Sequence, residues 1–119
     1  MTILNICPAE VDICIARGDT VPWTFTIKTS AGGVVNITGF SFLLTVDPSE
    51  APLDALSNLF QLTGTITDAP NGVVQFGMSA AQANQVPGVY YYDLQMTDGA
   101  AKLRTVARGQ FEFRQDVTK

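Results

Sequence analysis

The chain has 119 residues, enough for one domain with one core, and 46% of them are hydrophobic against only 15% charged. It contains no histidine, which excludes Ser-His-Asp triads, Cys-His pairs and histidine metal sites together. A net charge of −4 is opposite to the balance of a dedicated nucleic-acid binder, and two cysteines are too few for a disulfide scaffold.

Residues 1–10, "MTILNICPAE", lack a basic leader and a long apolar run, so they do not read as a secretory signal. They are expected to form an N-terminal arm ahead of a single domain spanning 11–119, with Ile3, Leu4 and Ile6 available to pack on another surface. Cys7 and Cys14 are expected to be unlinked thiols, buried as small hydrophobes, in a protein made in a reducing cytoplasm. "VDICIAR" then alternates, with Ile13 and Ile15 inward. Arg17-Gly18-Asp19 spells an integrin-binding tripeptide. It reads instead as a turn, with glycine supplying the permissive backbone.

"VPWTFTIKT" places Trp23, Phe25 and Ile27 on one face and Thr24, Thr26 and Lys28 on the other. "AGG" at 31–33 is a turn, and "GFSFLLTV" points Phe40, Phe42, Leu44 and Val46 inward. Residues 47–58, with two prolines, read as a long loop with a helical turn near Leu53 to Leu56. "LFQLTGTIT" aligns Phe60, Leu62, Gly64 and Ile66. Asn71-Gly72 then marks a hairpin into "VVQFGM", with Val74, Phe76 and Met78 in register. Ser79 is an N-cap for one or two helical turns that end by Pro87-Gly88.

"GVYYYDLQMT" is the most suggestive stretch. Three adjacent tyrosines followed by bases could form a stacking platform for single-stranded nucleic acid. A period of two separates them: Tyr90, Tyr92, Leu94 and Met96 face the core, and Tyr91 faces out with Val89, Asp93, Gln95 and Thr97. Tyr90 or Tyr92 also suits a tyrosine corner, with its hydroxyl bonded to nearby backbone. Asp98-Gly99 turns the chain into a last strand, where Leu103, Thr105, Ala107, Phe111 and Phe113 oppose Lys102, Arg104, Arg108 and Arg114. Five of the seven bases lie from residue 102 onward, on an outer face or edge, and the segment from Arg114 to Lys119 is a tail. The acids are scattered over separate turns, without metal-loop spacing. The sum is an all-β, two-sheet antiparallel sandwich with one short helical turn.

The ordered segments "ARGDTVPWTFTI", "VNITGFSFLLTV", "GVVQFGMSAAQANQVPGVYYYDLQMTDG" and "RTVARGQFEFRQDV" resemble a family of small bacteriophage virion domains. These are the N-terminal domain of phage upper baseplate proteins and its stand-alone relatives in tail and head-fibre gene regions. The resemblance spans about Arg17 to Val117. It implies an immunoglobulin-like sandwich that docks one virion component onto another and catalyses nothing. Upper baseplate proteins continue into fibre or receptor-holding segments, whereas this sequence ends at Lys119, so tail adaptor, baseplate or fibre-base subunit and capsid decoration protein all stay open. The expected location is the virion. The expected partners are other phage structural proteins and further copies of the chain, with no cofactor, nucleic acid or membrane. The expected interface comprises Ile3, Leu4, Ile6, Tyr91, Lys102, Arg104, Arg108 and Arg114. The rival from another class is a carbohydrate- or receptor-binding module at a fibre tip, and a host glycan or receptor is the less favoured partner.

Overall fold

Nine strands, a 3-10 turn at Ala69–Asn71 and one short α-helical turn follow each other in the computed structural model, which describes residues 9–20, 22–29, 31–49 and 58–115. The strands are β1 (Ala9–Glu10), β2 (Ile13–Ala16), β3 (Trp23–Thr26), β4 (Ser41–Asp47), β5 (Phe60–Thr63), β6 (Thr65–Asp68), β7 (Val73–Phe76), β8 (Gly88–Thr97) and β9 (Leu103–Arg114). They form two sheets. The larger runs β1-β9-β8-β4-β5, with β2 also on β9, and the smaller runs β3-β7-β6. This is the strand order of an immunoglobulin-like sandwich, and the alternating hydrophobic pattern produces it because each strand has one apolar face to bury.

All pairings are antiparallel except those at the N-terminus, where β1 and β2 run parallel to β9. Ala9 and Glu10, expected in the arm, therefore belong to the larger sheet. Ile3, Leu4, Ile6 and Cys7, the helical turn at 53–56 and the last four residues of the tail lie outside the described residues. Arg114 is not tail but the last residue of β9.

The core holds Ile27, Phe42, Leu44, Phe76, Tyr92, Leu94 and Phe111, as their alternation predicts. Trp23, Phe25, Phe40 and Tyr90 are only partly buried and pack against its margin. Val35 and Ile37 are fully buried although they lie in no strand. The chain stitches them down, with Val35 N–H donating to the Ile27 carbonyl and Ile37 N–H to that of Ala69. Chain crossing between sheets falls on Gly64, the single residue between β5 and β6. A Cβ there would sit 2.6 Å from Val74 Cγ2 and 2.9 Å from Phe76 Cζ, so a side chain has no room at this corner.

Two local expectations are met in detail. Ser79 Oγ accepts from Gln82 N–H, and Gln82 Oε1 accepts in turn from Ser79 N–H. This closes a capping box on α1 (Ala80–Ala83). Tyr90 Oη donates to the Val86 carbonyl at 2.8 Å, the tyrosine-corner geometry at the entry to β8. Two others are corrected. A bulge in β9 leaves Val106 unpaired between Ala107, opposite Leu94, and Thr105, opposite Gln95. The alternation slips by one residue there, so Leu103 is 63% exposed instead of inward. Cys14 is a free thiol but exposed, because Ile13 and Ile15 take the inward positions of β2.

Candidate functional site: the outer face of the larger sheet

Cross-strand register assembles this face from residues far apart in sequence. Asp47, Tyr91 and Gln110 form one row across β4, β8 and β9. Thr45, Asp93, Arg108 and Glu10 form the next, reaching β1. Between and around these rows lies an open groove of about 550 Å³, which Asp12, Ser49 and Asn58 also line. Its walls carry the carboxylates of Glu10, Asp12, Asp47 and Asp93 against the single guanidinium of Arg108.

Each carboxylate is held differently. Glu10 lies 3.8 Å from Arg108 Nε, with both side chains largely in solvent. Such a pair contributes at most about 1 kcal/mol. Asp12 Oδ1 accepts the Gln110 N–H, and the buried Asp47 accepts the Ser49 N–H at 2.7 Å. Burial raises the Asp93 carboxyl above its ordinary range, and Arg108 opposes the shift only in part. Beneath the groove, burial and the nearby Asp12 and Glu10 charges push the Tyr92 phenol far up. Its hydroxyl donates to the Val11 carbonyl.

Of the residues expected at an interface, Tyr91 and Arg108 come together here, both lining the groove. Lys102 and Arg104 do not join them. They project at the other end of β9, where Asp98 Oδ1 accepts the Ala100 and Lys102 N–H groups and closes the β8–β9 hairpin. Arg114 sits at the far terminus of β9, 3.5 Å from Glu112. The bases are thus strung along the twelve-residue β9 and the turn that leads into it, and form no continuous patch. Glu10, Asp12, Asp47 and Asp93 were missed as groove residues. No local pattern links them, and only register makes them neighbours. Among the described residues, no three His, Cys, Asp or Glu side chains gather closely enough to hold a metal ion.

Arg17-Gly18-Asp19 forms the turn expected of it. Gly18 has a φ of +90°, its N–H donates to the Ala83 carbonyl, and the Asp19 N–H returns to Ala16. Among the described residues, neither Arg17 Nε nor Trp23 Nε1, at the start of β3, finds an acceptor, although both are buried.

The two acids with shifted titration give opposite expected results. Asp93 has a folded pKa above its unfolded value, so its ionised form opposes folding at neutral pH. Asp93→Asn should raise the melting temperature at pH 7, with the gain vanishing once the pH falls below the ordinary aspartate range. Asp98 is held low by the N–H groups it accepts, first that of Lys102 and then that of Ala100. It supports folding above the unfolded pKa, and that support is lost as the pH falls through the folded value. Asp98→Ala should therefore lower the melting temperature at pH 7, with a difference that narrows in acid. Melting curves from pH 3 to 7 (roughly the carboxylate range) check both signs.

A scan against protein-family models found no match for this chain, and a search of curated proteins likewise found none.

Proposed function

We propose that this chain is a non-enzymatic structural subunit of a tailed bacteriophage virion, an adaptor in the tail, baseplate or fibre base that acts by protein–protein docking. One observation carries the reading. The four segments that resemble phage baseplate domains fall in order on the main elements of the sandwich: the β2–β3 turn with β3, then β4, then β7 through β8, then β9. The resemblance therefore follows one continuous three-dimensional framework. That framework leaves a broad sheet face and apolar side chains such as Leu103, Val89 and Val86 in solvent, surface a neighbouring subunit could cover.

The mechanism is surface complementarity between subunits, with the N-terminal segment and the outer face of the larger sheet as docking elements. Because Ala9 and Glu10 are part of the sheet, the informative truncation stops at residue 8. Deleting residues 2–8 should leave a folded sandwich that no longer enters particles. Normal occupancy of the truncated protein in purified virions would overturn the assignment of that segment. Loss of the wild-type protein from particles altogether would overturn the structural role. A capsid decoration protein is the variant of the same reading, separated from it by the position of the label in tagged particles.

The groove itself favours a second reading. Tyr91 beside Asp47, Asp93, Asn58 and Gln110 offers an aromatic ring and several hydrogen-bonding groups, the elements of a sugar site. Saturable binding on a glycan array, lost in Tyr91→Ala, would move the assignment to a receptor-binding module.

A further inference from the structure

We infer that the β5 edge of the larger sheet pairs antiparallel with the same edge of a second copy of this chain, so that two sandwiches share one continuous sheet. The inference rests on the assembly reading above and names one contact between copies.

β5 closes one side of the larger sheet and bonds only to β4. Gly64 N–H donates to the Phe42 carbonyl, and Leu62 lies opposite Leu44, so Phe60, Leu62 and Gly64 turn their backbone groups toward β4. In an antiparallel ladder the residues between them face the other way. The N–H and C=O groups of Gln61 and Thr63 therefore point out of the sheet edge, and among the described residues none of them meets a backbone partner. Both residues are exposed. The Gln61 side chain lies back over β4, its Nε2 donating to Thr45 Oγ1 at 3.2 Å, which leaves the edge uncovered. Open donors and acceptors along an extended strand are matched by another extended strand.

The other edges are guarded and this one is not. β3 lies between Pro22 and Lys28, and the β1–β2 edge carries Glu10 and Asp12. Proline and charge are the usual means of keeping an edge from pairing with other chains. From Leu59 to Thr67 the sequence has neither.

The identity of the partner follows from self-complementarity. A two-fold axis at Leu62 places Gln61 opposite the partner's Thr63, and Thr63 opposite the partner's Gln61. Each such pair exchanges both of its N–H···O bonds, so every outward group of the two strands is satisfied. The opposed side chains are an amide and a hydroxyl, with no charge to repel. Phe60 and Ile66, only partly buried on this side of the sandwich, gain apolar cover. Such a contact is isologous and closes at two copies.

Sedimentation velocity of the full chain should show a monomer–dimer equilibrium, and nothing larger, at concentrations up to about 1 mM. Thr63→Pro removes one outward N–H without touching the β4 ladder, and should weaken dimerisation about tenfold or more. The double variant Gln61→Lys, Thr63→Lys sets like charges across the axis and should be monomeric, as should Gln61→Glu, Thr63→Glu. Mixed, these two should form one-to-one dimers at low salt that dissociate at about 300 mM. Gln61→Lys, Thr63→Glu sets opposite charges across the axis only in the antiparallel register, and should dimerise at least as tightly as wild type. Should Thr63→Pro fail to fold, the charge variants decide. A wild-type chain that stays monomeric at about 1 mM overturns the inference. So do dimers that the proline and charge variants leave unchanged. Incorporation into particles is read separately. A chain that dimerises by this edge but is absent from particles keeps the contact and overturns the structural role, and a monomeric chain present at normal occupancy does the reverse.

Discussion

Replacing Phe111 by alanine should destabilise the protein by about 3–5 kcal/mol, the cost of deleting a buried aromatic side chain that its surroundings cannot refill. Phe111 has no exposed surface. Its ring meets Phe113 at 5.2 Å, Trp23 at 5.9 Å, Tyr92 at 6.1 Å and Phe60 at 6.5 Å. Trp23 belongs to the smaller sheet, and the other three rings come from the larger sheet's β9, β8 and β5. The loss at Phe111 therefore falls on the contact between the layers. Edge-to-face pairs of this kind add about 0.5–1.5 kcal/mol each beyond burial. Phe113 is equally buried but has ring contacts only with Phe111 and Tyr90, so Phe113→Ala should cost less. Val89, 46% exposed on the outer face, should tolerate alanine within about 0.5 kcal/mol. Urea denaturation of the three variants gives the ranking. A Phe111→Ala loss below about 1.5 kcal/mol, or one no larger than that of Phe113→Ala, would show that the sheets are held together elsewhere.

Local pattern made the sandwich readable but not its face. Period-two alternation in "WTFTI", "FSFLLTV" and "YYYDLQM" identifies the buried side of β3, β4 and β8, because each strand must hide one face whatever it pairs with. The same rule resolves the tyrosine triplet: Tyr92 is buried, Tyr90 closes a corner, and Tyr91 lies outside in the groove. Pairing partners are another matter. Nothing within residues 9–16 says that they run parallel to a strand nearly a hundred residues away. The bulge at Val106 also leaves no mark in a stretch that still alternates on paper. The groove inherits this limit. Glu10, Asp47, Asp93 and Arg108 belong to four strands and become neighbours only through register. Val35 and Ile37 escaped for a different reason, being buried by turns instead of by a strand. One further signal was present: an isolated glycine, Gly109, inside the β9 pattern, where a close backbone approach is the usual cause.

That approach makes Gly109 the most sensitive position at the N-terminal strands. The Val11 carbonyl turns in over Gly109 and accepts the Tyr92 hydroxyl, while Asp12 Oδ1 takes the Gln110 N–H at 3.0 Å. Val11 N–H holds the crossing in place by donating to the Arg108 carbonyl. A Cβ on Gly109 would overlap the Val11 carbonyl oxygen and come within 2.9 Å of Asp12 Oδ1, both fixed parts of the crossing. Gly109→Ala should therefore lift β1 and the start of β2 from β9. The expected cost is about 3–5 kcal/mol, from the clash together with the stranded Tyr92 hydroxyl and Gln110 N–H. Amide exchange should then accelerate at Val11 and Gln110 while β4 and β8 keep their protection. Tyr92→Phe isolates the hydroxyl and should cost about 1 kcal/mol in the wild-type background. If alanine acts by displacing Val11, Tyr92→Phe should cost almost nothing further in the Gly109→Ala protein, so the two changes are not additive. Full additivity with undiminished protection at Gln110 would mean that the crossing absorbs the methyl group without moving. Loss of the groove's β1 wall follows from the same displacement, because Glu10 reaches Arg108 only through that strand.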